Sequence, residues 1–334
     1  RHFRLDWSSS YDVGRKAIAQ NAADIEAMGG QCTGFVVAFG APADTPMDLV
    51  AALWAGMWDE AARCGNAPII GGDLVRSPQW VISVTVLGEL DGRGPVGLGG
   101  ARAGDVIAVA GGLGRSAAGY ALLTAGSPEF PELIARHRVP EPPYGQGPAA
   151  AEAGATAMTD VSDGLIADLG HIAEASGVGI DLSTAGLAAD HDGVADAAAA
   201  LGVDPWDWVL GGGEDHALVA CFPGAVPSGW RVIGVVTDGP VGAHVYGAEW
   251  TGCAGWDSFN YINFIAAIEM ELGVKFNVAD VESFENVGAA ALGACAIAGA
   301  AAASMNMLTE NPRHPINPRP VMRPPRTGTF PTCA

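Results

Sequence analysis

The stretch AMTDVSDGL, residues 157–165, sets the tightest limit on the fold. A short apolar run ends in two aspartates three residues apart, then a glycine, and a helical stripe follows at Leu165, Ile166, Leu169 and Ile172. So much carboxylate at a strand end either meets a ligand or caps a turn. The pattern recurs. APIIGGD ends a strand with Asp73, after two glycines that let a ligand approach the backbone. GGGEDH places Glu214 and Asp215 after a glycine loop and just before a strand. A chain that repeats strand, glycine, acid and helix is constrained to a layered α/β or α+β architecture.

Residues 1–103 read as helix, strand, helix, strand, strand. Ser10 caps the first helix, whose inward side carries Val13, Ala17 and Met28, and Gly29-Gly30 end it. GFVVAFG is a buried strand. Thr45-Pro46 open a second helix that closes near Cys64-Gly65, and APIIGGD and WVISVTVLGEL follow as strands. Residues 104–259 restart the pattern: the strand DVIAVA runs into GGLGRSAAG and a helix, AMTDVSDG runs into the helix LIADLGHIAEASG, and GVGIDL, HALVACF and RVIGVVT are further strands. RVPEPPYGQGP reads as a loop. Residues 260–334 differ in texture. YINFIAAIEMELGVKF is an amphipathic helix, and Ala/Gly low complexity follows Gly288. From Asn311 seven prolines and four arginines, with no acid, read as a disordered basic tail.

The 334 residues leave room for two domains, and 49% hydrophobic content supplies a core. A net charge of −20, with no basic stretch before the tail, argues against nucleic acid or a membrane surface as partner. Such a chain still binds phosphates where metal ions mediate the contact. The cysteines at 32, 64, 221, 253, 295 and 333 form no C-x-x-C pair and read as reduced thiols of a cytoplasmic protein. There is no signal peptide, and the uncharged run from Val287 to Thr309 is too rich in Ala and Gly to read as a membrane span. The chain opens at Arg1 rather than methionine, so its natural start is expected upstream.

Asp24 shares a helix face with Asn21, and Asp73, Asp160 and Asp163 stand at strand ends. Carboxylates so placed beside glycines suit magnesium carrying nucleotide phosphates; the alternative for each is a solvated turn or cap. GGLGRSAAG matches G-x-G-x-x-A, but no following strand ends in an acid, so it reads as tight strand–helix packing rather than a dinucleotide site. No P-loop and no G-x-S-x-G elbow occur. His171, on a helix, and His216, at a strand start, read as structural, and Trp206, Trp208 and Trp230 as core.

Taken in order, HF, NAADIEAMGG, IIGGD, DVSDGLIADL, GGGEDHAL and GWDSF resemble the thiamine-monophosphate kinases, from Arg1 to about Phe259. The resemblance implies a PurM-like fold, that of aminoimidazole ribonucleotide synthetase. Two α/β (α+β) domains, 1–103 and 104–259, are expected, the first truncated at its start and pairing across a homodimer. It implies that ATP phosphorylates thiamine monophosphate to thiamine diphosphate with the help of several Mg2+ ions. By position, Asp24, Asp73, Asp160 and Asp163 match metal ligands, Gly72, Asp73 and Ser162 match ATP contacts, and His2, Glu214 and Trp256 match substrate contacts. No enzyme nucleophile is expected, because the acceptor's own phosphate oxygen attacks. The family's opening segment, with further metal ligands, would precede Arg1. Where the family carries an arginine that reaches ATP, this chain reads LGGA, beginning at Leu98.

Residues 257–288 resemble the second half of an acyl carrier protein, with Ser258 at the position that takes a phosphopantetheine arm. That gives a helical fragment over 260–288, a disordered tail over 289–334 and a chain of composite origin. Three other readings stand beside the kinase: a nucleotide-binding scaffold of the same fold without catalysis, an acyl-carrier-type tether, and a selenophosphate-synthetase-like relative.

Overall fold

Phe35, Val37 and Phe39 alternate along β1 (Gln31–Ala41) and are fully buried. This period of two turns one face of the strand to a core and leaves the other free. The structure, a computed structural model, describes residues 3–246. β1 is the centre of a three-stranded sheet, ordered β2-β1-β3, with β2 (Ile69–Arg76) parallel and β3 (Val81–Glu89) antiparallel to it. Helices α1 (Ser10–Ala27) and α2 (Met47–Arg63) pack against each other, and Ile18, Leu53 and Met57 share the core beneath Phe35 and Phe39. α1 starts at a capping box formed by Ser9 and Asp12, one residue before the expected cap at Ser10. Met28, expected to point inward, is the helix C-cap and is 45% exposed.

The second sheet is built from residues after 105. Its six strands run in the order β5-β7-β4-β8-β6-β9: β4 (Val106–Ala110), β5 (Ala157–Asp160), β6 (Gly179–Ser183), β7 (Leu218–Phe222), β8 (Arg231–Thr237) and β9 (Gly242–Tyr246). All pairs are antiparallel except β6 with β9. β7 is buried along its whole length, as its unbroken apolar sequence demands. One face is covered by α3 (Arg115–Ala125), α6 (Leu165–Ser176), α7 (Thr184–Leu201) and α8 (Pro205–Gly211), whose core includes the expected stripe Leu165, Ile166, Leu169 and Ile172. α4 (Pro131–Arg138) packs on α3, and α5 (Gln146–Glu152) lies between α1 and β7. Trp208 and Trp230 are buried, in two different core clusters, and Trp206 is half-buried. Cys32, Cys64 and Cys221 are buried free thiols.

Asp73 does not end its strand. β2 continues to Arg76, because its pairing with β1 continues to Ala41, and Asp73 stands opposite Ala38 in mid-strand. Among the described residues no helix is long and apolar enough to cross a membrane.

Candidate active site

Two loops form the floor of the site, DVSDG after β5 and GGGEDH before β7. They are zipped together by backbone hydrogen bonds. Val161 N–H donates to Ala217 O (2.7 Å), His216 N–H to Val161 O (2.9 Å) and Glu214 N–H to Ser162 O (2.8 Å). The fit requires glycine at 213, where a Cβ would lie 2.4 Å from Ser162 O. Glu214 and His216 take φ values of 65° and 52°, the left-handed region that costs an ordinary side chain free energy. That backbone path sends three successive side chains to three different elements.

Glu214 Oε2 lies 2.7 Å from Nζ of Lys16 on α1. Asp215 accepts from the Gly114 amide (2.6 Å) and the Ser116 amide (2.8 Å) at the start of α3. His216 Nδ1 donates to Asp160 Oδ2 at 2.9 Å. The amides of GGLGRSAAG are thereby engaged by a protein carboxylate, which agrees with reading that loop as packing rather than as a phosphate cradle.

The electrostatics record crowded negative charge. Burial, followed by the nearby Asp160 charge, lifts Asp24 to about 6, against a smaller opposing effect of His216. More than a third of Asp24 is open to solvent, so a ligand can reach it. Asp168, on α6, is pushed up to about 7 by burial and by Asp160 and Asp163, although the amides of Asp163 and Gly164 donate to its Oδ2 at 3.1 Å each. Burial pulls His216 down, but the Asp160 hydrogen bond and charge, aided by Glu214, outweigh it and hold the imidazole above its ordinary value. Its Nε2 is buried and has no hydrogen-bond partner among the described residues. His216 is therefore only half satisfied as a structural histidine.

The expected site residues distribute as follows. Asp24, Asp160 and Glu214 converge through His216 and Lys16. Asp163 is exposed on the same loop and Ser162 is half-buried beside it. Gly72 and Asp73 lie on β2, where the Asp73 carboxylate accepts from the Leu74 amide (2.8 Å). Gly72 is needed for packing, since a Cβ there would lie 1.9 Å from Val37 O. His2, Trp256 and Ser258 lie outside the described residues. Leu98 is exposed, and its carbonyl accepts from Ser176 Oγ, whose oxygen also receives the Gly100 and Ala101 amides. Sequence reading did not single out Lys16, Asp168 or, as a cap, Asp215. Asp168 left a signal, an acid inside the apolar stripe of α6.

Among the described residues no three metal-ligating side chains form a ready-made cage. Mg2+ does not require one: it is held through one or two carboxylates, with water and substrate phosphates completing the octahedron. Burial first, and neighbouring carboxylates second, raise Asp24 and Asp168, and a bound cation opposes both effects, so the residues present fit magnesium.

The folded unit and this acidic site define a protein of the AIR-synthase-related class, and comparison with known proteins agrees. The model of the family "AIR synthase related protein, N-terminal domain" matches residues 1–90. A hydrogenase maturation protein HypE from E. coli shares the fold at a TM-score of 0.58 and 20% identity. Within that class the match narrows. Thiamine-monophosphate kinase of Mycobacterium tuberculosis is 68% identical over 258 residues, 77% of either chain, and that of Corynebacterium glutamicum is 45% identical over 243 residues, 71% of this chain and 73% of the relative. The crystal structure of thiamine monophosphate kinase from Aquifex aeolicus superposes with a TM-score of 0.68 at 30% identity, covering 75% of this chain and 85% of that one. A related structure, AaThiL complexed with AMPPCP and TMP, gives 0.64 at 30% identity, covering 73% and 79%. The chain belongs to the thiamine-monophosphate kinase family.

Proposed function

We propose that this chain transfers the γ-phosphoryl group of ATP to the phosphate of thiamine monophosphate, yielding thiamine diphosphate, and that Mg2+ assists. The observation that carries the reading is the zipped pair of loops, which turns Asp160 and Glu214 toward Asp24 and Lys16 on α1. Asp24, Asp160 and Asp163 would hold the metal, with Asp73 contributing from β2, and Gly72 and Ser162 would meet ATP. His2, Glu214 and Trp256 would contact thiamine monophosphate. Bound magnesium would neutralise phosphate charge as the phosphoryl group moves. The protein's own part is to fix the two substrates in line, with no covalent enzyme intermediate.

The test is product formation. Incubated with ATP, magnesium and thiamine monophosphate, the chain should release thiamine diphosphate, resolved by chromatography, and Asp160→Asn should lower turnover at least about a hundredfold. Absence of product from the wild type would overturn the reading. Stabilisation by a nucleotide analogue without product would favour the scaffold of the same fold, for which Leu98 in place of arginine speaks.

The remaining assignments share this standing. We infer two domains, 1–103 and 104–259, a homodimer and a cytoplasmic location. The acyl-carrier-like fragment is tested by the mass of Ser258 after treatment with a phosphopantetheinyl transferase, where an unchanged mass would dispose of it.

A further inference from the structure

The chain contains fifteen arginines and two lysines, and Lys16 is the single lysine among the described residues. It is also buried, with 4% of its surface exposed. A buried ammonium is costly unless it is paired, and it rarely adds stability over an apolar side chain of the same size. α1 is already anchored by other means: its capping box, the 2.7 Å pair of Arg15 with Glu60, and Glu26 receiving the Gly145 and Gly147 amides. The lysine therefore calls for a reason beyond holding the helix.

Its surroundings supply one. An ammonium has three N–H donors. Among the described residues two acceptors are found for them, Glu214 Oε2 at 2.7 Å and His137 O at 3.3 Å, and the third donor has none there. Lys16 also lines a cavity of about 70 Å³, together with the apolar Phe3, Val13, Ile82 and Val84 and the polar Gln20 and Asn21. The cavity joins apolar walls to a lysine, and its volume is that of a small group rather than of a whole heterocycle. The neighbouring histidine adds no charge: burial, then Lys16 itself, holds His137 down to about 4.

We propose that Lys16 receives the phosphate of thiamine monophosphate and, with Glu214, orients that phosphate toward ATP. This rests on the kinase reading and deepens it. Lysine suits the task because its compact point charge needs no planar partner, whereas arginine's fork would demand more room between Glu214 and His137. Glu214 holds the ammonium in place before substrate arrives, so little reorganisation is left for binding.

The experiment compares two ligands that differ only in the phosphate. Thiamine monophosphate and thiamine are titrated calorimetrically into the magnesium-loaded protein with a non-hydrolysable ATP analogue present. Lys16→Met should weaken thiamine monophosphate at least about tenfold, the loss of one charge-assisted hydrogen bond, and leave thiamine and the nucleotide analogue within about twofold. Lys16→Arg should recover part of the loss. If Lys16→Met fails to fold, the double variant Lys16→Met/Glu214→Gln removes both charges of the pair and leaves no uncompensated buried ion, and the ratio of its two affinities, set against that of the wild type, gives the same answer. A variant that discriminates between the ligands as the wild type does, or that loses both equally, overturns the role of Lys16 alone. A wild type that binds neither ligand overturns the role together with the kinase reading.

Discussion

Asp215 is deeply buried and meets only backbone amides, so its charge depends on pH in a way that can be measured. Burial pushes its carboxyl up to about 7 against the opposing hydrogen bonds from Ser116 and Gly114. The unfolded chain releases this proton near the ordinary value of 3.8. Between these values the native state holds a proton that the unfolded state has lost, so the stabilisation is complete below about pH 4 and disappears as pH rises through about 7. The melting temperature should fall between pH 5 and pH 8, and Asp215→Asn, which cannot ionise, should fall less steeply. The difference amounts to a few kcal/mol at most, one pKa unit being about 1.4 kcal/mol. Equal slopes for the two proteins would refute the assignment. Adjacent glycines drew attention to Asp160 and Glu214 in the sequence, and a helix face shared with Asn21 drew it to Asp24. Lys16, Asp168 and the capping role of Asp215 were not legible there, because each is defined by burial or by a partner that only the fold supplies, 198 residues away for Lys16 and about 100 for Asp215.

Helices α1 and α2 meet through glycine. A Cβ on Gly14 would lie 2.0 Å from Leu53 O, and one on Gly56 would lie 2.0 Å from Tyr11 O, so each glycine admits the other helix's backbone. Backbone cannot rotate aside as a side chain does. Gly56→Ala should therefore push the helices apart and cost about 1–3 kcal/mol, read as a shifted urea midpoint with little change in slope. Because α1 carries Lys16, Asn21 and Asp24, the same variant should lose activity out of proportion to its stability. An unshifted midpoint would show that the crossing is looser than drawn. The sequence revealed α1 and α6 through their apolar stripes, and α2 through the Thr45-Pro46 and Cys64-Gly65 that bound it, but hid α7. Its buried positions are Leu187, Asp190, Val194, Ala197 and Ala198, a helical period carried partly by alanines and an aspartate that pairs with Arg231 and receives the Leu113 amide. A period written in small and charged residues does not register as amphipathic. The order of the six strands was equally hidden, since those pairings join segments far apart in the chain.

The three-stranded sheet leaves apolar surface uncovered. Ile70, Leu74 and Val75 on β2 and Val81 and Leu87 on β3 are all exposed, Leu74 to 66%, and among the described residues no strand pairs with the outer edge of β2. An apolar strip on each of the two edge strands invites another chain to cover it. We propose that a second copy does so, the homodimer expected from the family resemblance, with the N-terminal sheets as the contact. The surface would bring Gly72 and Asp73 to the dimer interface, so the β2 part of the site would depend on assembly while the part on α1 and the two zipped loops would not. Leu74→Lys places an ammonium in the strip and touches nothing buried. By light scattering coupled to size exclusion, the wild type should elute as a dimer and the variant as a monomer, with an association constant at least about tenfold weaker, as like charges meet across the two-fold axis. Nucleotide affinity should fall with it, while the phosphate-dependent preference for thiamine monophosphate over thiamine, held by Lys16 on α1, should persist. A wild type that is monomeric at micromolar concentration would end the dimer proposal. A dimeric variant would move the interface elsewhere on the molecule and return Asp73 to a role within one subunit.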